Sequence, residues 1–396
     1  MRGHFYLLVR HLLRQFLTSG LGFGKTVPLV SGNLALGGLL FAILCGGFLF
    51  PQLFYGHFRT AAFSLTAGAV VTSTTRNWFI KRGFFRERVF ILGQSELAAR
   101  LIRQLARRPE LGMSVVGCAD NPDEVFAAYG EFAAATRPFD HVIVALIDRR
   151  ARMPVNELLK MRLHGIRIDD GAAVLERISG KVEVDDLLPS SWIFDANFGP
   201  ERFYVLRRVM SSVISLLLIL VSLPLFPIIA LAVKLSSPGP ILYRQTRCGK
   251  NGKLFTCLKF RTMAEDTEAE SGPVWAAVAD PRVTSVGRLL RKTRLDEIPQ
   301  FWNVLRGDMQ LIGPRPERPE FVHRLTETIP YYSIRHIIPP GITGWAQTQY
   351  KYGNSNDDAK EKLRYDLYYV KNMSLRLDLV ILYETVKTML SGRGAH

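Results

Sequence analysis

Cysteine and acid are scarce in this chain. Its four cysteines, Cys45, Cys118, Cys248 and Cys257, form no Cys-x-x-Cys pair and no cluster with histidine; the closest two lie nine positions apart. That excludes a zinc module or a disulfide framework and fits a reduced, cytosol-facing chain whose cysteines pack. Asp and Glu total 35 against 51 Lys and Arg, a net charge of +16. Such an excess suits polyanions, whether nucleic acid, anionic lipid headgroups or nucleotide phosphates, and equally the positive-inside bias of a membrane protein. Internal repeats and low-complexity tracts are absent. A complete glycine fingerprint for dinucleotides is absent as well. The first strand-like run, Val89–Leu92, ends in Gly93-Gln-Ser-Glu-Leu-Ala, where only the first glycine is in place. Without the others the backbone has no close approach to a pyrophosphate, so a structural or regulatory module is expected there.

Apolar residues make up 48% of the chain, and mean hydropathy is +0.09, which points to membrane segments. Residues 33–54 carry no charge and are long enough to cross a bilayer; 60–75 are uncharged but short and Thr-rich. Arg2, Arg10, Arg14 and Lys25 precede this region, and Arg76, Lys81, Arg82, Arg86 and Arg88 follow it. A hairpin with both ends in the cytoplasm is therefore expected. In the first twenty residues Leu8, Leu12 and Phe16 share one helical face and Arg10 and Arg14 another, the pattern of an interfacial helix. No small-residue cleavage site follows the apolar stretch, against a secretory signal.

Between residues 88 and 176 short apolar runs (Val89–Leu92, Val115–Cys118, His141–Leu146, Ile166–Ile168) alternate with helical patterns at Glu96–Arg107 and Glu157–His164. That alternation predicts a small parallel α/β domain. A third apolar stretch, 204–235, opens with Arg207 and Arg208, closes with Lys234 and is interrupted by Pro224 and Pro227. Proline removes a helical hydrogen bond and bends the axis. The stretch is either a kinked span or a helix broken at Pro224 that returns to the side it came from.

The unusual clustering lies in residues 236–396. Alternating runs flank Gly249-Lys-Asn-Gly252, predicting a β-hairpin with a basic tip. Lys259 and Arg261 fall two apart, on one strand face, as a cation pair for phosphate oxygens or as charges guarding a strand edge. Arg288, Arg291 and Arg294 recur every three residues and lead into Asp296-Glu297. An arginine stripe beside two acids makes chemical sense near a phosphate: cations neutralise the substrate and let an anionic nucleophile approach phosphorus. Pro299 starts the next helix, so an ordinary N-cap and first-turn acid is the competing reading. Pro314 and Pro316 fix the backbone around Arg315, as a guanidinium clamp requires. Pro340-Gly-Ile-Thr-Gly-Trp-Ala-Gln347 is another stiff turn, and Tyr365-Asp-Leu-Tyr-Tyr-Val-Lys371 begins an amphipathic helical segment.

Taken in order, LYRQTRCGKNGKLFTCLKFRTM, DPRVTSVGRLLRKTRLDEIPQFWNVLRGDMQLIGPRPE, PPGITGWAQ and YDLYYVKNMSLRLDL, over about 190 residues, resemble the bacterial sugar transferases. These are monotopic phosphoglycosyl transferases that act on polyprenyl phosphate. The upstream hairpin and α/β module resemble the large form of that family, which carries about four N-terminal spans; this chain has room for one or two, an abbreviated N-terminal region. The segment QTQYKYGNSNDDAKEKLRYDLYYVKN departs from the commoner Val-Asn-Gly-Arg after Ala-Gln and resembles a subgroup tied to exopolysaccharide and exosortase systems. Lys351 is the candidate replacement for the missing arginine.

The resemblance implies an α/β membrane protein: an N-terminal membrane region (1–85), a small Rossmann-like parallel α/β module (86–180), a linker (181–203) and an α+β catalytic domain (204–396) whose helix 204–235 is re-entrant, broken around Pro224. It implies that Asp296 attacks the phosphorus bearing the sugar of a UDP-sugar, that of glucose or galactose first, and expels UMP. Undecaprenyl phosphate then takes the phosphosugar. Glu297 would hold Mg²⁺, and Lys259, Arg261, Arg291, Arg315 and Asp366 would contact phosphate. The bacterial inner membrane, with the catalytic domain on the cytoplasmic side, and downstream glycosyltransferases are the implied surroundings, with a homodimer compatible and nucleic acid not a partner. Two other readings compete. A membrane-anchored NAD-dependent dehydratase or epimerase needs the missing glycines and a Tyr-x-x-x-Lys pair in the same domain; Tyr383 and Lys387 have the spacing but lie in the tail. A non-catalytic scaffold would tolerate loss of Asp296.

Overall fold

The computed structural model describes residues 86–120, 139–146, 153–184, 204–264, 282–350, 353 and 355–390. The apolar stretches 33–54 and 60–75, the interfacial helix, Cys45, most of the linker, Asp280 and Lys351 lie outside them. The chain divides into two compact units at Gly180–Lys181.

The first unit is a four-stranded sheet in the order β2-β1-β3-β4, all neighbours parallel. Its strands are β1 (Glu87–Leu92), β2 (Met113–Ala119), β3 (His141–Val144) and β4 (Arg167–Asp170), with helices α1 (Glu96–Arg107), α2 (Val155–Leu163) and α3 (Gly171–Ser179). Alternation along the strands fills two layers. Phe90, Leu92, Val142 and Val144 pack on Leu158 and Met161 of α2. Val89, Ile91 and Ile143 pack on Leu101 and Leu105 of α1 and on Val174 and Leu175 of α3. Ser95 starts α1 by accepting the Ala98 amide, with Glu96 in the first turn and Arg107 in the last, each placed favourably on the helix dipole. Gly93 has φ of +115°, and a Cβ there would meet the Ala145 carbonyl oxygen at 2.7 Å; only glycine fits. In the turn after β1 the Gln94 amide donates to Asp120 Oδ1 and the Ser95 hydroxyl to the Ala145 carbonyl.

In the second unit, α4 (Tyr204–Ser222) and α5 (Leu225–Ser236) are separated at Leu223–Pro224. The antiparallel hairpin β5 (Leu242–Cys248) and β6 (Leu254–Phe260) follows, paired from Leu242↔Phe260 to Cys248↔Leu254. Next come α6 (Ser285–Thr293), a 3-10 turn Leu295–Glu297, α7 (Gln300–Arg306), β7 (Gln310–Ile312), α8 (Pro319–Thr328), a 3-10 turn Tyr332–His336, β8 (Gly341–Thr343), α9 (Trp345–Gln349), α10 (Asn356–Lys371) and α11 (Leu375–Leu390). β7 and β8 pair in parallel. α10 carries a capping box between Ser355 and Asp358, so the helix expected from Tyr365 begins nine positions earlier.

Among the described residues, α4 is the one helix long and apolar enough to cross a membrane. Val205, Val209, Val213, Leu216 and Leu220 on α4 are exposed, as are Ile228, Leu231 and Leu235 on α5. Both ends of this helix pair are held by the rest of the second unit. At the start, buried Arg207 pairs with Asp378, 2.6 Å to Oδ1 and 2.8 Å to Oδ2, and reaches the Tyr369 hydroxyl at 2.7 Å. Arg208 donates to the Val304 and Leu305 carbonyls. At the far end, Arg261 donates to the Ser237 and Pro238 carbonyls, each at 2.6 Å, and Ile229 and Val233 join the core of Phe260, Leu290 and Ile298.

Candidate active site

The acidic pair enters on a turn that the backbone must be forced to make. α6 is capped at its start by Thr284, whose hydroxyl accepts the Gly287 amide, and ends at Arg294 in the left-handed conformation, φ +59° and ψ 14°. A bulky residue rarely adopts that conformation, and such strain gathers at functional sites. The reversal sends Leu295–Glu297 into a 3-10 turn on the flank of β6, with Leu295 and Ile298 anchoring it in the core. Asp296 is 7% and Glu297 8% exposed.

Cations from separate elements converge on Glu297 Oε1: Lys259 of β6 at 3.1 Å, Arg315 at 3.0 Å and Arg294 at 3.9 Å. Burial alone would raise the Glu297 carboxyl, but Lys259, Arg315 and Arg294 overcome it and hold the group well below the usual carboxylate range. Asp296 goes the other way. Burial raises its pKa, and the negative charge of Glu297 raises it further, with Lys259, Arg315 and Arg291 in partial opposition. Its Oδ1 is buried with no hydrogen-bond partner. Two adjacent carboxyls pushed apart in this way mark acid–base or nucleophilic sites.

The cations are braced. Asn303, fully buried, accepts the Leu258 amide and donates to the Thr256 carbonyl and Asp308, locking β6 and with it Lys259 against α7. Arg291 donates through Nε to the Thr262 hydroxyl at 3.0 Å. Arg315 follows Gly313, where a Cβ would lie 2.5 Å from the Pro339 carbonyl oxygen. Its carbonyl accepts Arg335 Nη2 at 3.0 Å. Arg335 in turn is held by Asp366 Oδ2 at 2.7 and 3.0 Å and donates to the Tyr332 hydroxyl.

Of the residues singled out in the sequence, Asp296, Glu297, Lys259, Arg291 and Arg315 come together. Two do not. β6 ends at Phe260, so Arg261 leaves the strand face of Lys259 and turns to the carbonyls at the end of α5, groups that a helix terminus leaves without partners. Asp366, 2% exposed, lies behind the site and holds Arg335 rather than facing the acidic pair. Arg335 was missed. Its signal was a lone arginine in the apolar run 332–340, complementary to a lone aspartate in another apolar run. Pro224 sits at the break between α4 and α5. Tyr383 and Lys387 lie on α11, the lysine over the tyrosine ring.

Asp296 and Glu297 are the groups here that could hold a divalent ion. Asp296 Oδ1 is an orphaned buried acceptor, and Glu297 brings a second carboxylate, though its Oε1 is already held by cations. Among the described residues no group of three His, Cys, Asp or Glu could hold a metal. Mg²⁺ commonly takes one or two carboxylates and completes its shell with substrate phosphates and water, and this donor set fits that pattern.

The family model described as "Bacterial sugar transferase" matches residues 202–392, which hold the whole constellation. The chain is 42% identical over 223 residues to the UDP-N-acetylgalactosamine-undecaprenyl-phosphate N-acetylgalactosaminephosphotransferase of Aeromonas hydrophila, covering 56% of this chain and about half, 52%, of that protein. It is 32% identical to the UDP-glucose:undecaprenyl-phosphate glucose-1-phosphate transferase of Escherichia coli (strain K12), across 78% of this chain and 69% of that one. It is 40% identical to the exopolysaccharide production protein PSS of Rhizobium leguminosarum bv. phaseoli, across 48% of this chain and 98% of that one. With its acidic pair, braced cations and apolar helix pair inside the matched region, the chain belongs to the bacterial sugar transferase family.

Proposed function

We propose that this protein transfers a sugar-1-phosphate from a UDP-sugar to undecaprenyl phosphate and releases UMP, through a phosphosugar ester on Asp296. One observation carries the reading: a buried carboxylate with an unpartnered oxygen, beside a second carboxylate that gathers Lys259 and Arg315. In the first step an Asp296 oxygen bonds to the phosphorus bearing the sugar, and the bond from that phosphorus to the UMP oxygen breaks. In the second, a phosphate oxygen of undecaprenyl phosphate attacks the same phosphorus and frees the carboxylate. Phosphoryl transfer of this kind rests on positioning and charge neutralisation more than on proton transfer.

Each residue has a place in that scheme. Glu297 keeps Lys259 and Arg315 aimed at one point, where non-bridging phosphate oxygens would replace part of its hold on them. Arg291, fixed by Thr262, favours the ionised form of Asp296. Glu297 would hold Mg²⁺, with the carboxylate of Asp296 beside it. Bound there, the ion would supply neutralisation of charge on the leaving UMP. Related names include both glucose and N-acetylgalactosamine transferases; UDP-glucose or UDP-galactose is the donor proposed here, for the opening membrane step of exopolysaccharide synthesis, ahead of glycosyltransferases.

The α4–α5 pair is proposed as a re-entrant hairpin in the inner membrane, with the catalytic unit on the cytoplasmic side. Supporting it, the exposed face of both helices is apolar, and Arg207, Arg208 and Arg261 fasten the two ends to one unit. A straight crossing of this length would carry its ends about 48 Å apart. Buried irregular backbone at membrane depth is tolerated where protein covers it.

The test is mass spectrometry of enzyme incubated with UDP-sugar and Mg²⁺ without lipid acceptor. A phosphosugar adduct on the Asp296 peptide and release of UMP are expected; an Asp296→Asn enzyme that still turns over ends the claim.

A further inference from the structure

Between α5 and the β5–β6 hairpin runs an open groove of about 800 Å³, within the range of about 300–1,000 Å³ usual for ligand sites. One wall is Phe226, Pro227 and Ala230 on α5; the other is Leu242, Tyr243 and Phe260 of the hairpin. Resting on the function proposed above, we propose that this groove seats the head-proximal isoprenoid units of the polyprenyl phosphate acceptor and so sets the acceptor's chain type.

Three observations fix the occupant. The α5 wall is continuous with the exposed Leu225, Ile228 and Leu231, so an apolar chain reaches the groove from the lipid side without crossing water. The hairpin wall ends at the chemistry. Phe260 points to the opposite face of β6 from Lys259 and packs on Ile298, the residue after Glu297, while Lys259 holds Glu297 at 3.1 Å. Tyr243 is registered opposite Lys259 and so shares its face. Finally, Arg244 is the one charged residue of the lining; it is exposed, and no hydrogen bond or ion pair engages its side chain among the described residues. A ligand that is apolar along its body and anionic at one end satisfies all three. A single-chain lipid phosphate monoester has that form, and its head can reach the Asp296 ester. A two-chain phosphodiester lipid offers a bulkier body and a singly charged, less nucleophilic phosphate.

The experiment uses the full chain in phosphatidylcholine nanodiscs and a polyprenyl phosphate carrying a photoreactive group in its first isoprene units. Label on peptides spanning 226–230 and 240–244, not displaced by excess phosphatidylglycerol, is expected. Ala230→Trp fills the groove and should raise KM for the long acceptor about tenfold, with a smaller effect on an acceptor two isoprene units long. Arg244→Gln, a surface change, should raise acceptor KM and leave donor KM alone. Acceptor-free UMP release reports folding of each variant. Label confined to other segments, displacement by phosphatidylglycerol, or an unchanged acceptor KM in both variants would overturn the groove. Labelling needs no turnover, so absence of any UMP burst in the unmodified enzyme condemns the proposed reaction instead.

Discussion

Arg335→Met removes the guanidinium that gives Asp366 Oδ2 its bonds at 2.7 and 3.0 Å, in surroundings where the two residues are 5% and 2% exposed. A buried ion left without its partner costs about 3–5 kcal/mol, a large part of the roughly 5–15 kcal/mol that keeps a domain folded. The same change takes the donor from the Arg315 carbonyl. That loosens a clamp whose side chain sits 3.0 Å from Glu297, and a shift of about 1 Å in such a group costs about a hundredfold in rate. Asp366→Leu should destabilise comparably. Replacing both at once substitutes an apolar pair for an ionic one, which is close to neutral in many buried sites. The double variant should therefore be more stable than the sum of the singles by at least about 2 kcal/mol. Its activity should stay about a hundredfold down, because the Arg315 carbonyl still lacks its donor. Urea unfolding followed by tryptophan fluorescence in detergent gives the first quantity, and UMP release gives the second. Additive destabilisation, or activity that returns together with stability, refutes the assignment of Arg335 as the residue that positions Arg315.

Asp296→Asn should abolish turnover and yet raise Tm at neutral pH. With its pKa raised by burial and by Glu297, the stability its protonated form contributes is present at acid pH and lost as pH rises through the raised value, so a neutral side chain avoids the loss. For the same reason the acid limb of kcat/KM for UMP release should lie above the ordinary aspartate value of about 3.9. Glu297→Gln should move that limb down, by removing the neighbouring negative charge, while lowering the plateau as Lys259 and Arg315 lose their common partner. Arg315→Met should cost about a hundred- to a thousandfold in UMP release, the range for losing one fixed donor. Gly313→Ala should destabilise by about 1–3 kcal/mol in a thermal melt, because its Cβ would press on the Pro339 carbonyl at 2.5 Å.

Local signals were legible where periodicity and punctuation agree. The strand at Val89–Leu92, the helix Glu96–Arg107 and the hairpin around Gly249–Gly252 stand within a residue or two of their expected places. The helix Gly171–Ser179 went unforeseen because it follows β4 with no linker, its N-cap being Asp170 at the strand's end. The site divides the same way. Asp296, Glu297, Lys259, Arg291 and Arg315 stood out through the ordered motifs that resemble the family, since spacing alone left each with an ordinary structural reading. Arg261 lies two residues from Lys259 and Asp366 falls in a motif of the resemblance, but the carbonyls at the end of α5 and the guanidinium of Arg335 hold them instead. Such competition runs between elements far apart in the chain, and residue spacing carries no record of it. The left-handed Arg294 is a similar case: arginine gives no hint of positive φ, and the surrounding packing imposes it.

Because Arg207 and Arg208 clamp one foot of the α4–α5 pair and Arg261 the other, the number of residues between them is a gauge. A single added residue in α4 advances everything beyond it by about 1.5 Å and turns it by about 100°. Either the oily side would then swing toward the protein or one foot would come off its clamp. Substitutions on that outer face should be tolerated freely so long as they remain greasy, whereas insertions and deletions should be punished. If the pair sits in the membrane as proposed, chain length between the feet, more than the identity of any outward side chain, sets the depth of Asp296 relative to the lipid headgroups.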